Sequence, residues 1–99
     1  MQFAIIARDG ADMLEKRLAV RPRHLENAAN AKGRIICAGG MLDDKGKMKG
    51  SVMIMDFESR ELLEEYLATE PYLLEHVWET VEAVPFNTVI VNGEHVGKQ

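Results

Sequence analysis

Residues 34–57 read RIICAGGMLDDKGKMKGSVMIMDF and contain the clearest strand signals in the chain. Two apolar segments, 34–41 and 51–57, flank a polar turn at 43–47 that contains a glycine. Short apolar runs bounded by turn residues are typical of β-strands, and a short turn between two of them predicts a hairpin. The second segment is apolar at four successive positions, 52–55, as in a strand covered on both faces.

A strand and a helix are predicted before the hairpin. The apolar run from Phe3 to Arg8 ends at an Asp-Gly pair and has the length of a buried strand. Residues 11–20 are mixed and suit either a short helix or an ordered loop. Pro22 then predicts the start of a clearer helix, because proline is favoured at the first helical position. Its apolar stripe would consist of Leu25, Ala28 and Ala29, with Gly33 closing the helix.

A second helix and a last extended segment are predicted after the hairpin. Ser59 has the side chain of an N-cap, and the apolar face that follows consists of Leu62, Leu63, Tyr66 and Leu67. Pro71 predicts a further helical turn, which would run through His76. An alternating segment leads to Pro85, residues 86–91 supply the last short extended piece, and residues 92–99 are expected to lack regular structure.

The order strand, helix, strand, strand, helix, strand predicts an α+β fold of the ferredoxin-like split βαβ type (βαββαβ). Both helices would lie on the same face of the sheet. The opposite face would also be apolar, and an exposed apolar sheet face marks an interface. We therefore expect one domain over residues 1–99 that forms a homodimer through the open sheet face, giving a dimeric α+β barrel.

Composition and charge narrow the possible partners. The chain has 99 residues, with 16 acidic and 12 basic side chains and a net charge of -4, so nucleic acid and anionic membranes are poor partners. The apolar run near the start is too short for a signal peptide or a membrane span. The only cysteine, Cys37, has no disulfide partner within the chain and is expected to be a small core residue. These features favour a reduced, cytoplasmic protein.

No common cofactor or metal motif occurs in the chain. There is no phosphate-binding loop, dinucleotide fingerprint, zinc-protease motif or serine-hydrolase elbow, and no cysteine and histidine cluster has zinc-ligand spacing. We therefore expect no cofactor and no metal. A small molecule remains as the expected ligand.

The first candidate for chemistry is His24 together with Glu70. In the first turn of its predicted helix, His24 would be favoured in the neutral form, which can act as a base. Glu70 precedes Pro71 at a predicted helix start and can either cap that helix or orient a histidine. Because the two helices lie side by side, the two residues can meet, and a carboxylate on one ring nitrogen makes the other a general base. A histidine that is merely part-exposed is the alternative.

Four further residues are predicted to contact a substrate. Ser51 can donate a hydrogen bond to a substrate oxygen, although a polar surface role is also open. Arg21 and Arg8 can balance negative charge on a substrate, and both also suit a solvated surface. Tyr72, next to the Glu70-Pro71 pair, completes the set.

Five segments form a distinctive set: 14–25 (LEKRLAVRPRHL), Ala38-Gly39-Gly40, Gly50-Ser51, Glu70-Pro71-Tyr72 and Val84-Pro85-Phe86. Together they resemble the YciI-like (YCII-related) proteins over nearly the whole chain. The resemblance implies a ferredoxin-like α+β barrel formed by dimerisation, with an active site of a histidine–aspartate pair and a nearby serine. His24 would be the family histidine and Ser51 the serine, while the family aspartate falls at Glu70, whose side chain is one methylene longer.

The characterised relatives implied by this resemblance include a dehydrochlorinase of a chlorinated hydroxyquinol, with muconolactone isomerases more distant. The leading hypothesis is therefore a cofactor-independent enzyme of the lyase or isomerase type, acting on a small oxygenated, aromatic or lactone-like substrate. His24 would move a proton and Glu70 would orient it. Two alternatives stay open: a non-catalytic small-molecule binding module, and a cofactor-free oxygenase on the same fold.

Overall fold

A four-stranded antiparallel sheet with helices packed on one face forms the body of the protein, as described for residues 1–97 by a computed structural model. The sheet order is β2-β3-β1-β4, which confirms the predicted ferredoxin-like α+β fold. The strands are β1 (Gln2–Asp9), β2 (Gly33–Leu42), β3 (Met48–Phe57) and β4 (Trp78–Phe86). The helices are α1 (Leu14–Ala29), α2 (Arg60–Ala68) and α3 (Pro71–Leu74), and a small separate hairpin consists of β5 (Ile90–Val91) and β6 (Glu94–His95).

The two central strands, β1 and β3, carry the core. In their register Phe3 lies opposite Met55, and the pairs that follow along both strands put buried side chains on the face that packs against the helices. At the end of this row Ser51 lies opposite Ala7 and is itself buried. The sheet therefore places a polar hydroxyl at the edge of the apolar core, next to the end of β1.

Helix α1 is longer than predicted and starts before the expected proline. It begins at Leu14, so Pro22 lies in its interior and not at its first position. The predicted stripe is wrong at Leu25 and Ala29, which are exposed, and right at Ala28, which is buried. The side chains that α1 buries are spaced three or four residues apart and run through both halves of the helix: Arg17, Val20, His24 and Ala28.

This buried stripe explains why α1 continues through Pro22. A proline inside a helix removes one backbone hydrogen bond and crowds the preceding turn. Packing of Arg17 and Val20 on one side of Pro22, and of His24 on the other, holds both halves against the sheet. Two of the four buried positions are polar, so an apolar periodicity search does not detect the stripe.

Helix α2 begins as predicted, with Ser59 as its N-cap. The Ser59 Oγ accepts a hydrogen bond from the backbone N–H of Leu62 at 3.3 Å. We expect Ser59→Ala to lower the free energy of unfolding by about 1 kcal/mol, because the N–H loses its partner at the helix start. Urea denaturation checks this value. Ser59→Asp, which keeps a capping oxygen, is the matched control, and an equal loss in both variants would contradict the capping role.

The last part of the chain departs from the prediction at two points. Strand β4 runs through Pro85, which lies opposite Phe3, and it ends at Phe86, so the sheet strand precedes the predicted extended piece. Proline is accepted here because β4 is an edge strand, which has one row of unpaired backbone groups. Residues 94–95 form strand β6, contrary to the expected lack of structure, while residues 98–99 lie outside the described range.

The sheet face opposite the helices remains partly open. Its residues alternate with the core residues along each strand, and Val84 and Phe86 are 40% and 44% exposed. Cys37 also proves to be exposed, so its predicted role as a core residue is wrong. None of the helices within residues 1–97 is long and apolar enough to cross a membrane.

Candidate active site

His24 and Glu70 meet inside the protein. The distance from His24 Nδ1 to Glu70 Oε1 is 2.6 Å, and the two residues are 8% and 0% exposed. His24 lies past the middle of α1, so the predicted position in the first turn of a helix is wrong, and so is the argument from the helix dipole. Glu70 is the N-cap of α3, as predicted.

The Glu70 carboxylate is held by three hydrogen bonds. Besides the contact with His24, Oε1 accepts from the backbone N–H of Tyr72 at 3.1 Å, and Oε2 accepts from the Tyr66 hydroxyl at 2.7 Å. Burial, and secondly the adjacent Glu70 charge, raise the pKa of Tyr66 well above its ordinary value. The phenol therefore stays protonated and keeps donating to the carboxylate. Capping and histidine orientation, which were alternatives in the sequence, are combined in one side chain.

Two aromatic rings fix the plane of the His24 imidazole. It stacks on Tyr72 with ring centroids 4.2 Å apart and an interplanar angle of 21°. The Trp78 ring lies at 73° to it, with centroids 5.9 Å apart. Burial raises the pKa of Tyr72, while the charges of Arg17 and Arg21 oppose that shift. Because Nδ1 is bonded to Glu70 and the ring plane is fixed by stacking, the direction of Nε2 is fixed as well.

A buried ion pair lies beside the imidazole. Arg17 Nη1 contacts Asp9 Oδ1 at 2.8 Å and Oδ2 at 3.1 Å, and Arg17 Nη2 donates to Ser51 Oγ at 2.6 Å. The guanidinium carbon lies 4.6 Å from the centroid of the Tyr72 ring. Burial raises the pKa of Asp9, and the charge of Arg17 acts in the opposite direction.

These groups border a cavity of about 140 Å³ between α1, α3 and strands β2 and β3. Its polar wall is formed by Arg17, Arg21, His24, Ser51 and Tyr72, and the rest of the lining consists of Leu25, Ala38, Gly39, Gly40, Met48 and Met53. Small residues on β2 leave room in front of β3. In the described part of the chain, no three histidine, cysteine or acidic side chains are grouped to hold a metal ion.

The structure brings five of the six predicted site residues together. Four of them line the cavity, and Glu70 supports His24 from behind. Arg8 is different: it is exposed, follows buried Ala7 in β1 and therefore faces the opposite side of the sheet. Arg17 and Asp9 were not among the predicted site residues. In the sequence they are only an acidic and a basic residue eight positions apart. Such pairs are common on protein surfaces, so this spacing is weak evidence for a buried ion pair.

Comparison with known proteins identifies the family. The model of the YCII-related domain matches residues 1–87. The chain belongs to the YCII-related family. Protein YciI of Escherichia coli O6:H1 is 39% identical over 97 residues, covering 90% of this chain and 99% of the relative. An uncharacterised protein of Haemophilus influenzae is 34% identical with the same coverage. The family prediction made from the motifs is therefore confirmed.

Solved structures share the fold of this YCII-related protein. The 5-chloro-2-hydroxyhydroquinone dehydrochlorinase of Burkholderia phenoliruptrix AC1100, in complex with 2,5-dihydroxybenzoquinone, has a TM-score of 0.78 and 23% identity, covering 87% of this chain and 93% of that one. Protein Atu4242 of Agrobacterium tumefaciens has a TM-score of 0.53 and 19% identity, covering 85% and 89%. At these sequence identities, the comparison shows a shared fold and nothing about a shared reaction.

Proposed function

We propose that this YCII-related protein is a cofactor-independent enzyme of the lyase or isomerase type, in which His24 transfers a proton on a small oxygenated substrate. One observation carries the proposal: a buried histidine is bonded through Nδ1 to a buried carboxylate and borders a cavity. A histidine kept only for packing needs neither an oriented ring nor access to a cavity. The pair has the form of a general acid–base unit.

The hydrogen bonds around Glu70 select the tautomer of His24. Donors from Tyr66 and from the backbone of Tyr72 already point at the carboxylate, which makes it an acceptor. The His24 contact then requires a proton on Nδ1, which leaves the lone pair on Nε2. In the proposed reaction Nε2 takes a proton from a substrate carbon or oxygen. In an isomerisation it returns the proton to another substrate atom. In an elimination the electron pair left on the substrate expels a leaving group as an anion.

The polar wall of the cavity suits a substrate with oxygen substituents. Arg21 supplies positive charge, Ser51 a hydroxyl and Tyr72 an aromatic edge, so a small aromatic or lactone-like compound fits the lining. The structural neighbour binds 2,5-dihydroxybenzoquinone, which is a compound of this class. This likeness in ligand chemistry supports the proposed substrate class.

The test uses two probes. Chloride release from 5-chloro-2-hydroxyhydroquinone measures elimination, and deuterium uptake by 2,5-dihydroxybenzoquinone in heavy water, followed by NMR, measures proton transfer to carbon without net reaction. We expect catalysis of at least the second process. Tight binding of a probe without chloride release or deuterium uptake would contradict the proposal that the protein is an enzyme, and would favour a binding module. Oxygen consumption with 5-chloro-2-hydroxyhydroquinone, which is a quinol, would favour the oxygenase instead.

Glu70 is expected to contribute less to turnover than the histidine that it orients. We predict that Glu70→Gln lowers kcat on the order of 10-fold, because glutamine keeps an acceptor oxygen for Nδ1 but loses the negative charge that strengthens the base. Steady-state kinetics with the reactive probe measure the effect. Glu75→Gln, on an exposed ion pair with Arg23, is the matched control. An unchanged kcat in Glu70→Gln would assign Glu70 to helix capping alone.

We also propose that the protein is a homodimer formed through the open sheet face. Pairing across β1, β3 and β4 places six apolar residues on this face: Ala4, Ile6, Val52, Ile54, Val84 and Phe86. Most of them are half-buried or exposed in one chain. Arg8 and Glu82 lie on the same face and carry opposite charges, which a two-fold contact can pair.

The oligomeric state is directly measurable. Sedimentation equilibrium at micromolar concentration is expected to give twice the chain mass, and Ile54→Lys is expected to give a monomer, because the lysine ammonium would be buried without a partner. Lys49→Glu, at an exposed position of the same strand, is the control and should remain dimeric. A monomeric wild-type protein would contradict the proposal.

A cytoplasmic location is proposed as well. The single cysteine is exposed and has no disulfide partner in the chain, which suits a reducing compartment. Fractionation of cells that express the protein at native level tests this location, and recovery in a membrane or extracellular fraction would contradict it.

A further inference from the structure

Ser51 has an unusual hydrogen-bonding environment for a buried serine. Its Oγ accepts from Arg17 Nη2 at 2.6 Å, and Ser51 and Arg17 are 4% and 3% exposed. A guanidinium carries only donors, so this contact uses the acceptor capacity of the hydroxyl and leaves its proton free. Within residues 1–97 no hydrogen bond gives that proton an acceptor, and the side chain borders the cavity.

We propose that Arg17 is a positioning residue that turns Ser51 into a hydrogen-bond donor aimed into the cavity, and that this hydroxyl holds an anionic oxygen of a one-ring ligand. The proposal rests on the proposed function, since it concerns the same site, and it specifies the substrate class as a phenolate or enolate. The buried Asp9 carboxylate holds Arg17 in place through Nη1, which leaves Nη2 for the serine.

The charges around the cavity fit one negative oxygen. The charge of Arg17 is balanced by Asp9, with which it makes a buried ion pair. Arg21, which makes no ion pair within residues 1–97, adds one positive charge to the lining. A hydroxyl polarised by a guanidinium is a stronger donor than an ordinary serine, since hydrogen bonds polarise one another in a low-dielectric site. An oxyanion placed there gains both a hydrogen bond and a positive field.

The size of the cavity fits one ring. Its volume is about 140 Å³, and an apolar cavity of roughly 150 Å³ in a protein core admits benzene. Leu25, Met48 and Met53 provide apolar lining for the ring. The polar and apolar parts of the lining together predict a planar ring that carries an ionised oxygen.

The experiment uses 4-nitrophenol, because its phenolate is yellow and its phenol is colourless, so absorbance reports the ionisation of the bound ligand without any turnover. At a pH at which the free probe is mostly phenol, we expect the protein to bind it as the phenolate. Ser51→Ala should weaken phenolate binding roughly 10-fold or more, as expected for the loss of a charge-assisted hydrogen bond. Arg17→Lys should show a similar loss, because a lysine has one ammonium nitrogen and lacks the two guanidinium nitrogens that bind Asp9 and Ser51 at the same time.

A variant with the opposite expected sign separates positioning from mere stability. Asp9→Asn keeps an acceptor for Arg17 but removes the balancing charge, so the bound phenolate should be favoured more than in the wild type. If the Asp9–Arg17 pair had only a structural role, Asp9→Asn would not bind the phenolate more tightly than the wild type does. If Arg17→Lys does not fold, Ser51→Ala and Asp9→Asn still decide the matter.

The failure of this proposal differs from the failure of the proposed function. His24→Gln should abolish proton transfer, whereas Ser51→Ala should weaken phenolate binding, so each failure is read from its own measurement. Loss of the phenolate signal in His24→Gln, together with an unchanged Ser51→Ala, would assign the oxygen to the histidine and overturn the proposal. Binding of the neutral phenol, or no binding to the wild-type protein, would overturn it as well.

Discussion

Replacement of His24 by glutamine is expected to lower kcat at least about 100-fold for whichever probe the wild-type protein turns over. In the wild-type protein His24 Nδ1 is bonded to Glu70 at 2.6 Å. The glutamine amide can still donate a hydrogen bond to this carboxylate, so the buried carboxylate keeps a partner. Glutamine has no group that takes and returns a proton near neutral pH. The loss should therefore appear in kcat, with KM changed only a few-fold, in steady-state kinetics.

His76→Asn is the control for the His24 substitution. His76 is exposed, has a φ of 60°, and lies outside the cavity lining, and asparagine accepts such a backbone conformation better than most residues. This variant should keep full activity. A His24→Gln protein that is equally active would exclude His24 as the acid–base group, and a rise in KM with kcat unchanged would reduce its role to substrate binding.

The fold was predictable because its main strands have a simple apolar pattern. The hairpin over 34–57 and the strand at 3–8 specify a split βαβ order, and the sheet has the expected topology. Helix α1 was not placed correctly, because Pro22 is a strong start signal and the buried stripe that overrides it includes Arg17 and His24. Tertiary packing outweighed a local preference at this proline.

The contact between His24 and Glu70 could be predicted from the order of helices and strands, although the predicted position of His24 in its helix was wrong. The expected position of His24 in a first helical turn was wrong, yet adjacent helices on one sheet face still brought it to the start of α3. The Arg17 network could not be found in the same way. Charged side chains are usually exposed, and Asp9 and Ser51 meet Arg17 in the interior only through the tertiary fold.

Arg17→Met is expected to lower the free energy of unfolding by about 3–5 kcal/mol at neutral pH, which is the usual loss when one partner of a buried ion pair is removed. The side chains of Arg17 and Asp9 are each 4% exposed, so water cannot replace the guanidinium. Methionine fills much of the space of the arginine stem but leaves the Asp9 carboxylate and the Ser51 hydroxyl without their donor. Urea denaturation measures the loss.

Asp9→Asn added to Arg17→Met should recover part of this stability, because it removes the uncompensated charge. The pH dependence provides a second test. Burial already raises the pKa of Asp9, and loss of Arg17, whose charge opposes that shift, raises it further. A carboxyl whose pKa is higher in the folded state favours folding at low pH and loses that contribution as pH rises through the folded pKa. The loss in Arg17→Met should therefore shrink as the pH falls from that folded pKa toward about 4, the ordinary value for aspartate. The double variant, which has no carboxyl at position 9, should lack this dependence, and equal pH profiles for the two proteins would contradict a buried Asp9–Arg17 pair.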